Sequence, residues 1–189
     1  MKKAVFLDRD GVINRKAPEP HYVTCWEEME FLPGTREAIR SLNQAGYFVV
    51  VVSNQRCVAK GLITTSELDS LHARMRHEFE GAGARIDAIY YCPHEVQPPC
   101  DCRKPKPGML LEAARIHLID LGGSWMIGDS DDDVEAGRSA GCSTAQVTED
   151  AKSTGGADLV ASSLLDAVHK ILEVQTGLPA RGVGLRLSF

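Results

Sequence analysis

Residues 4–14 read AVFLDRDGVIN. Ala4, Val5, Phe6 and Leu7 form a short apolar run that stops abruptly at Asp8-Arg9-Asp10-Gly11. A run of that length bounded by a turn residue suits a strand covered on both faces of a parallel sheet. Its C-terminal end then carries two carboxylates, at the edge where open α/β sheets bind their ligands. Carboxylates one residue apart can share a hard cation, and one can attack as a nucleophile while the other handles protons. Gly11 permits the sharp departure of the chain that follows. D-x-D by itself equally suits a polar loop closing a strand; the longer string DRDGVIN is far more specific.

The rest of the chain repeats the scheme of apolar strand, polar end and helix. Residues 34–45 read as a helix, with apolar positions 38, 39, 42 and 45, and Gly46 supplies a left-handed cap. Tyr47–Val52 is a β-branched second strand ending in Ser53-Asn54-Gln55. A hydroxyl there can donate to a phosphate oxygen, although a polar strand end is common. Thr64-x-x-Glu67 is a capping box, and Leu68, Leu71, Met75 and Phe79 follow at helical spacing, so residues 65–80 are expected to be an amphipathic helix. His72 and His77 on it are expected to be solvated and without chemistry. Further strands are expected at Ile86–Cys92, Trp125–Gly128, Ser143–Val147 and Asp158–Ala161. Helices are expected from Pro107 to about His117 and over Ser163–Val174. Alternating strands and helices predict an α/β class: one Rossmann-like domain with a central parallel sheet and helices on both faces. Residues 15–33 are broken by Pro18, Pro20 and Pro33, and Tyr22-Val23 and Phe31-Leu32 are expected to pair as a hairpin flap over the site. No large cap domain is expected. The domain is taken as residues 1–176 and the tail as 177–189, where alternating Val183, Leu185, Leu187 and Phe189 permit an added edge strand.

Cys92-Pro93-His94 and Cys100-Asp101-Cys102 offer four ligands of N/S character within eleven residues, a set that suits tetrahedral zinc with every position filled by protein. The one-residue spacing departs from that of common zinc fingers, and a reduced, metal-free loop is the alternative. Directly after it stands Arg103-Lys104-Pro105-Lys106-Pro107-Gly108, a basic hexapeptide that by itself suits a solvated turn. Asp129 at the end of the strand beginning at Trp125 can complete an octahedral Mg²⁺ site. Asp131 and Asp132 are additional acids suited to a helix N-terminus.

Length and composition bound these readings. The 189 residues suffice for one well-cored α/β domain. Apolar content of 43% and charged content of 25% are near the globular average and give no reason to expect disorder. A net charge of −5 argues against nucleic acid as the main partner, while leaving room for a small anion at a local pocket. The apolar stretch after Met1-Lys2-Lys3 ends at Asp8, too short for a signal peptide, and no run approaches a membrane span, so a cytoplasmic protein without a membrane partner is expected.

DRDGVIN, SNQ at 53–55, RKPKPG at 103–108 and GDSDDD at 128–133 stand in the order of the four motifs of the haloacid dehalogenase superfamily, which the chain resembles over residues 8–133. Most of its members are phosphatases. The resemblance implies that Asp8 is the phosphorylated nucleophile and Asp10 the general acid/base, with Ser53 and Lys104 on the phosphoryl oxygens. It also implies Mg²⁺ held by Asp8, the Asp10 backbone carbonyl and Asp129, with Asp133 behind them. With the zinc loop of Cys92, His94, Cys100 and Cys102, the chain further resembles the D-glycero-D-manno-heptose 1,7-bisphosphate phosphatases. These remove the C7 phosphate through an aspartyl phosphate during synthesis of activated heptose for surface polysaccharide. Histidinol-phosphatases carry a similar zinc loop and are the alternative. Substrate contacts implied by position are Glu19, His21, Tyr22, Asn54, Gln55, Arg56 and Arg103. Arg56-Cys57 departs from the small residues expected in the heptose family and leaves substrate and anomer open. Outside the enzymes, a zinc-stabilised binding module with a vestigial site remains, against which the intact Asp8, Asp10, Lys104 and Asp129 argue. A monomer is expected.

Overall fold

A computed structural model describes residues 1–148 and 156–176. The elements, in chain order, are β1 (Ala4–Leu7), α1 (Thr35–Gln44), β2 (Phe48–Asn54), α2 (Thr65–Gly81), β3 (Ala88–Cys92), α3 (Gly108–His117), β4 (Trp125–Gly128), α4 (Asp131–Ala140), β5 (Ser143–Val147), β6 (Leu159–Ala161) and α5 (Leu164–Thr176). The strands form one six-stranded sheet in the order β3-β2-β1-β4-β5-β6, with every pairing parallel. Strand order reverses between β1 and β4, so Asp8 and Asp129 leave the sheet on either side of the switch point, where a crevice opens beyond the strand ends.

The two-residue period of the strands divides the core. Val5, Leu7, Val49, Val51 and Ile127 face α1, α2 and α5, meeting Ile39, Leu42, Phe79, Val168 and Ile171. Ala4, Phe6, Val50, Val52 and Met126 face α3 and α4, meeting Leu110, Ala113 and Ala136. With both faces covered, all four residues of β1 are fully buried, which is why its sequence is a continuous apolar run. Truncating Phe6 to Ala would cost roughly 3–5 kcal/mol.

The sequence places element boundaries within a few residues of those observed. The capping box is present, with Glu67 Oε2 accepting from Thr64 N at 2.8 Å and Thr64 Oγ1 accepting from Glu67 N at 3.2 Å. The hairpin flap is a correction. Tyr22-Val23 is not a strand and does not pair with Phe31-Leu32. Instead the excursion closes on its own start: Leu32 N donates to Ile13 O at 3.0 Å and Arg15 N to Glu30 O at 2.8 Å. Between these ends Tyr22, Val23, Trp26 and Met29 pack on Cys57, Ile63, Leu68 and Leu71, so apolar contact with α2 takes the place of strand pairing. His72 is a second correction: it is buried at 4% exposure. The proposed tail at 177–189 lies outside the described residues. No described helix is long and apolar enough to cross a membrane.

Candidate active site

β1 delivers Asp8 to the floor of a cleft of ≈ 440 Å³, lined also by Asp10, Lys16, Glu19, His21, Tyr22, Ser53, Asn54, Arg56, Lys60, Arg103, Lys104, Asp129 and Asp133. Asp8 Oδ1 accepts from Lys104 Nζ at 2.7 Å. The same ammonium meets Asp133 Oδ1 at 2.5 Å and donates to Val52 O at 2.9 Å. Lys104 is 3% exposed, and burial opposes its charge, but Asp8 and Asp133 outweigh that and raise its pKa. Asp8 is pushed up to about 7, first by burial and further by Asp133 and Asp10, with Lys104 pulling the other way. Three carboxylates, Asp8, Asp129 and Asp133, thus stand against the two ammonium groups of Lys104 and Lys16.

The donor set fits a hard cation. Asp8, Asp129 and Asp133 each offer an oxygen, and these lie within 4.8 Å of one another. Gly11 makes this cluster possible. Its φ is +97°, and a Cβ there would stand 2.3 Å from Asp129 Oδ2. Lys16 Nζ lies 3.2 Å from the same oxygen.

Asp10 points elsewhere. Its carboxylate accepts from Arg9 Nε (3.2 Å) and Nη2 (3.0 and 2.9 Å), from Asn14 Nδ2 (2.9 Å) and from Gln55 Nε2 (2.9 Å). Burial works against its charge, but Arg9 and these donors prevail and lower its pKa. Gln55 therefore differs from expectation. Its side chain is 1% exposed and its amide donates to Asp10 and to Ser53 Oγ (2.8 Å), so it sets their orientation from beneath the cleft. Asn54 lines the cleft but uses its amide on Lys104, donating to the backbone O at 3.0 Å and accepting from the backbone N at 3.1 Å. Arg56 reaches Glu95 of the cysteine loop at 2.5 Å. Arg103 Nη1 is buried and has no hydrogen-bond partner among the described residues. Glu19, His21 and Tyr22 stand on the rim.

Cys92, His94, Cys100 and Cys102 converge as the sequence pattern predicts. Sγ of Cys100 lies 3.5 Å from those of Cys92 and Cys102, and His94 Nδ1 lies 3.6 Å from Cys92 Sγ and 3.2 Å from Cys102 Sγ. Bonds of about 2.3 Å to sulfur and 2.0 Å to nitrogen require donor separations of this order around a tetrahedral ion, so the cluster fits zinc. It closes immediately before Arg103 and Lys104 and fixes where both emerge.

Sequence reasoning missed Arg9 and Asn14, buried at 0% and joined to Asp10. A charged residue inside DRD offered the signal, because a buried arginine requires a partner.

A family model described as HAD-hydrolase-like matches residues 101–167. A D-glycero-beta-D-manno-heptose-1,7-bisphosphate 7-phosphatase of Rhodopseudomonas palustris is 44% identical over 147 residues, 74% of this chain and 80% of that protein. The chain belongs to the haloacid dehalogenase-like hydrolase family. The protein of the same name from Vibrio cholerae is 38% identical over 188 residues, 92% of this chain and 98% of that one. Among solved structures, the D,D-heptose 1.7-bisphosphate phosphatase of B. bronchiseptica, complexed with magnesium and phosphate, superposes with a TM-score of 0.83. It is 36% identical and covers 91% of this chain and 99% of its own.

Proposed function

We propose that this chain is a Mg²⁺-dependent phosphomonoesterase removing the C7 phosphate of D-glycero-D-manno-heptose 1,7-bisphosphate through an aspartyl phosphate on Asp8. The observation that carries the chemistry is Asp8 at the switch point, paired with a buried Lys104 in a cleft whose walls supply Arg56, Lys60 and Arg103. The names of the relatives carry the substrate, and they favour it over histidinol phosphate.

An Asp8 oxygen attacks phosphorus, and the bond from phosphorus to the sugar oxygen breaks as Asp10 gives that oxygen a proton. Asp10 is ionised in the free protein and takes up a proton from solvent as substrate binds, because a phosphate dianion seated beside it raises its pKa. Water then attacks the phosphoryl group and yields a proton to Asp10, and the bond to Asp8 breaks. Ser53 and Lys104 stabilise the phosphoryl oxygens. Asp8, Asp129 and the Asp10 carbonyl would hold Mg²⁺, which when bound offsets repulsion between nucleophile and phosphate. Arg103, with a buried nitrogen free to bond, and Arg56 suit the second phosphate of a bisphosphate, since guanidinium forks match phosphate geometry. Zinc at the four-ligand loop is structural, and the protein works as a monomer in the cytoplasm, in keeping with six cysteines of which none forms a disulfide.

Phosphate release from the heptose bisphosphate and from histidinol phosphate tests this reading. The expected preference for the bisphosphate exceeds about tenfold in kcat/KM. Preference for histidinol phosphate would overturn the substrate, and no release from any phosphomonoester would overturn the activity.

A further inference from the structure

Arg9 is among the largest fully buried side chains and α2 carries the buried His72 against it. Arg9 Nε and Nη2 are committed to Asp10, and Nη1 lies 3.1 Å from His72 Nε2. A guanidinium has no acceptor, so His72 Nε2 must accept, which requires a neutral ring with its proton on Nδ1. Burial first and Arg9 second push His72 down to about 3, consistent with that state. The ring lies 5.5 Å from that of Tyr91, whose hydroxyl donates to Asp69 Oδ1 at 2.8 Å. His72 is thus itself held in place, while Asp10 is reached only through Arg9.

We propose that His72 is a positioning residue for proton transfer: by accepting from Arg9 it fixes the guanidinium that grips both oxygens of Asp10. This rests on the reading of Asp10 as the proton donor and extends it by naming what aims that donor from 62 positions further along the chain. A packing residue at this place needs only volume. A positioning residue needs an acceptor facing Nη1, because otherwise Arg9 gains rotational freedom and Asp10 moves with it. Misplacing a reacting group by about 1 Å can cost about 10²-fold.

The test compares two esters by kcat/KM, which reports steps through departure of the leaving group. One is the heptose bisphosphate or, if the wild type does not turn it over, the best of a panel of sugar monophosphates; its alkoxide needs a proton. The other is 4-nitrophenyl phosphate, whose phenolate leaves without one. The ratio of the two is independent of the folded fraction of a preparation. His72→Leu should lower the value for the alkyl ester by roughly tenfold or more while holding the aryl value within about threefold. His72→Gln, whose Oε1 can accept from Nη1, should recover most of the alkyl activity. Equal losses on both esters, total loss included, or Leu performing as well as Gln, would overturn the proposal and leave His72 a packing residue. Asp10→Asn tests the underlying reading separately. If it shows no split between esters, Asp10 is not the donor; if it shows the split and His72→Leu does not, only the positioning role falls.

Discussion

Gly11→Ala is the sharpest probe of the carboxylate cluster. The new Cβ would stand 2.3 Å from Asp129 Oδ2 and 2.6 Å from its Cγ, both inside the 3.0 Å below which Cβ contacts essentially never fall. Asp129 must retreat by roughly 1 Å to reach ordinary contact. The φ of +97° adds strain of about 1–2 kcal/mol for any residue with a Cβ. In a protein of this length that lowers Tm by about 2–8 °C. The larger effect falls on activity: a displacement of about 1 Å in a ligand to the cation should lower turnover by about 10²-fold and raise the Mg²⁺ concentration needed for half-maximal rate. Turnover titrated with Mg²⁺ gives both quantities, and the rise in Tm on adding Mg²⁺ reads the same site without catalysis. If Tm fell while Mg²⁺ half-saturation and turnover stayed within about twofold of wild type, Asp129 would not be a ligand.

Cys102→Ser should reduce zinc from about one per chain, lower Tm and raise KM for the bisphosphate, because Arg103 and Lys104 lose their anchor; metal analysis with kinetics checks it. Asn54→Leu removes both amide contacts to the Lys104 backbone and should cost roughly tenfold in kcat with little change in circular dichroism. An unchanged kcat would mean that the cysteine loop alone positions Lys104. His72 also makes stability depend on pH. Its folded value of about 3 lies below the unfolded 6.5; the ring contacts Arg9 and Tyr91, and the Asp10 carboxylate acts on it from beyond Arg9. The unfolded chain therefore binds the extra proton, and the stability present above 6.5 is lost as pH falls toward 3, by about 2 kcal/mol at pH 5. Denaturant melts at pH 7.5 and 5 should show this in wild type and a smaller loss in His72→Gln; equal losses would refute it.

Much of the fold was legible because a strand covered on both faces must be continuously apolar. Ala4–Leu7, the run within Phe48–Asn54 and Trp125–Gly128 declare themselves, and the turn chemistry at Gly46 and Thr64 punctuates the helices between them. The four cysteine-loop ligands were legible for a different reason, being close in sequence. What escaped was contact at a distance. His72 lies on a helix whose polar face is otherwise exposed, and nothing local reveals that Arg9, 63 residues earlier, needs an acceptor there. The segment at Tyr22-Val23 carried strand-forming residues, yet packing against Leu68 and Leu71 decided its course. Gln55, one of the substrate contacts implied by position, instead gives its amide to Ser53 and to Asp10, 45 residues earlier, a contact that nothing local reveals.

The central claim is that Asp8 and Lys104 hydrolyse one particular ester of the heptose bisphosphate, and phosphorus NMR of the reaction tests it most directly. The sugar carries two phosphate signals, on C1 and C7. With Mg²⁺ present, the C7 signal should disappear as inorganic phosphate grows, the C1 signal should persist, and Asp8→Asn should leave both untouched. Loss of the C1 signal first, or turnover by Asp8→Asn at the wild-type rate with reversion to Asp excluded, would contradict the account.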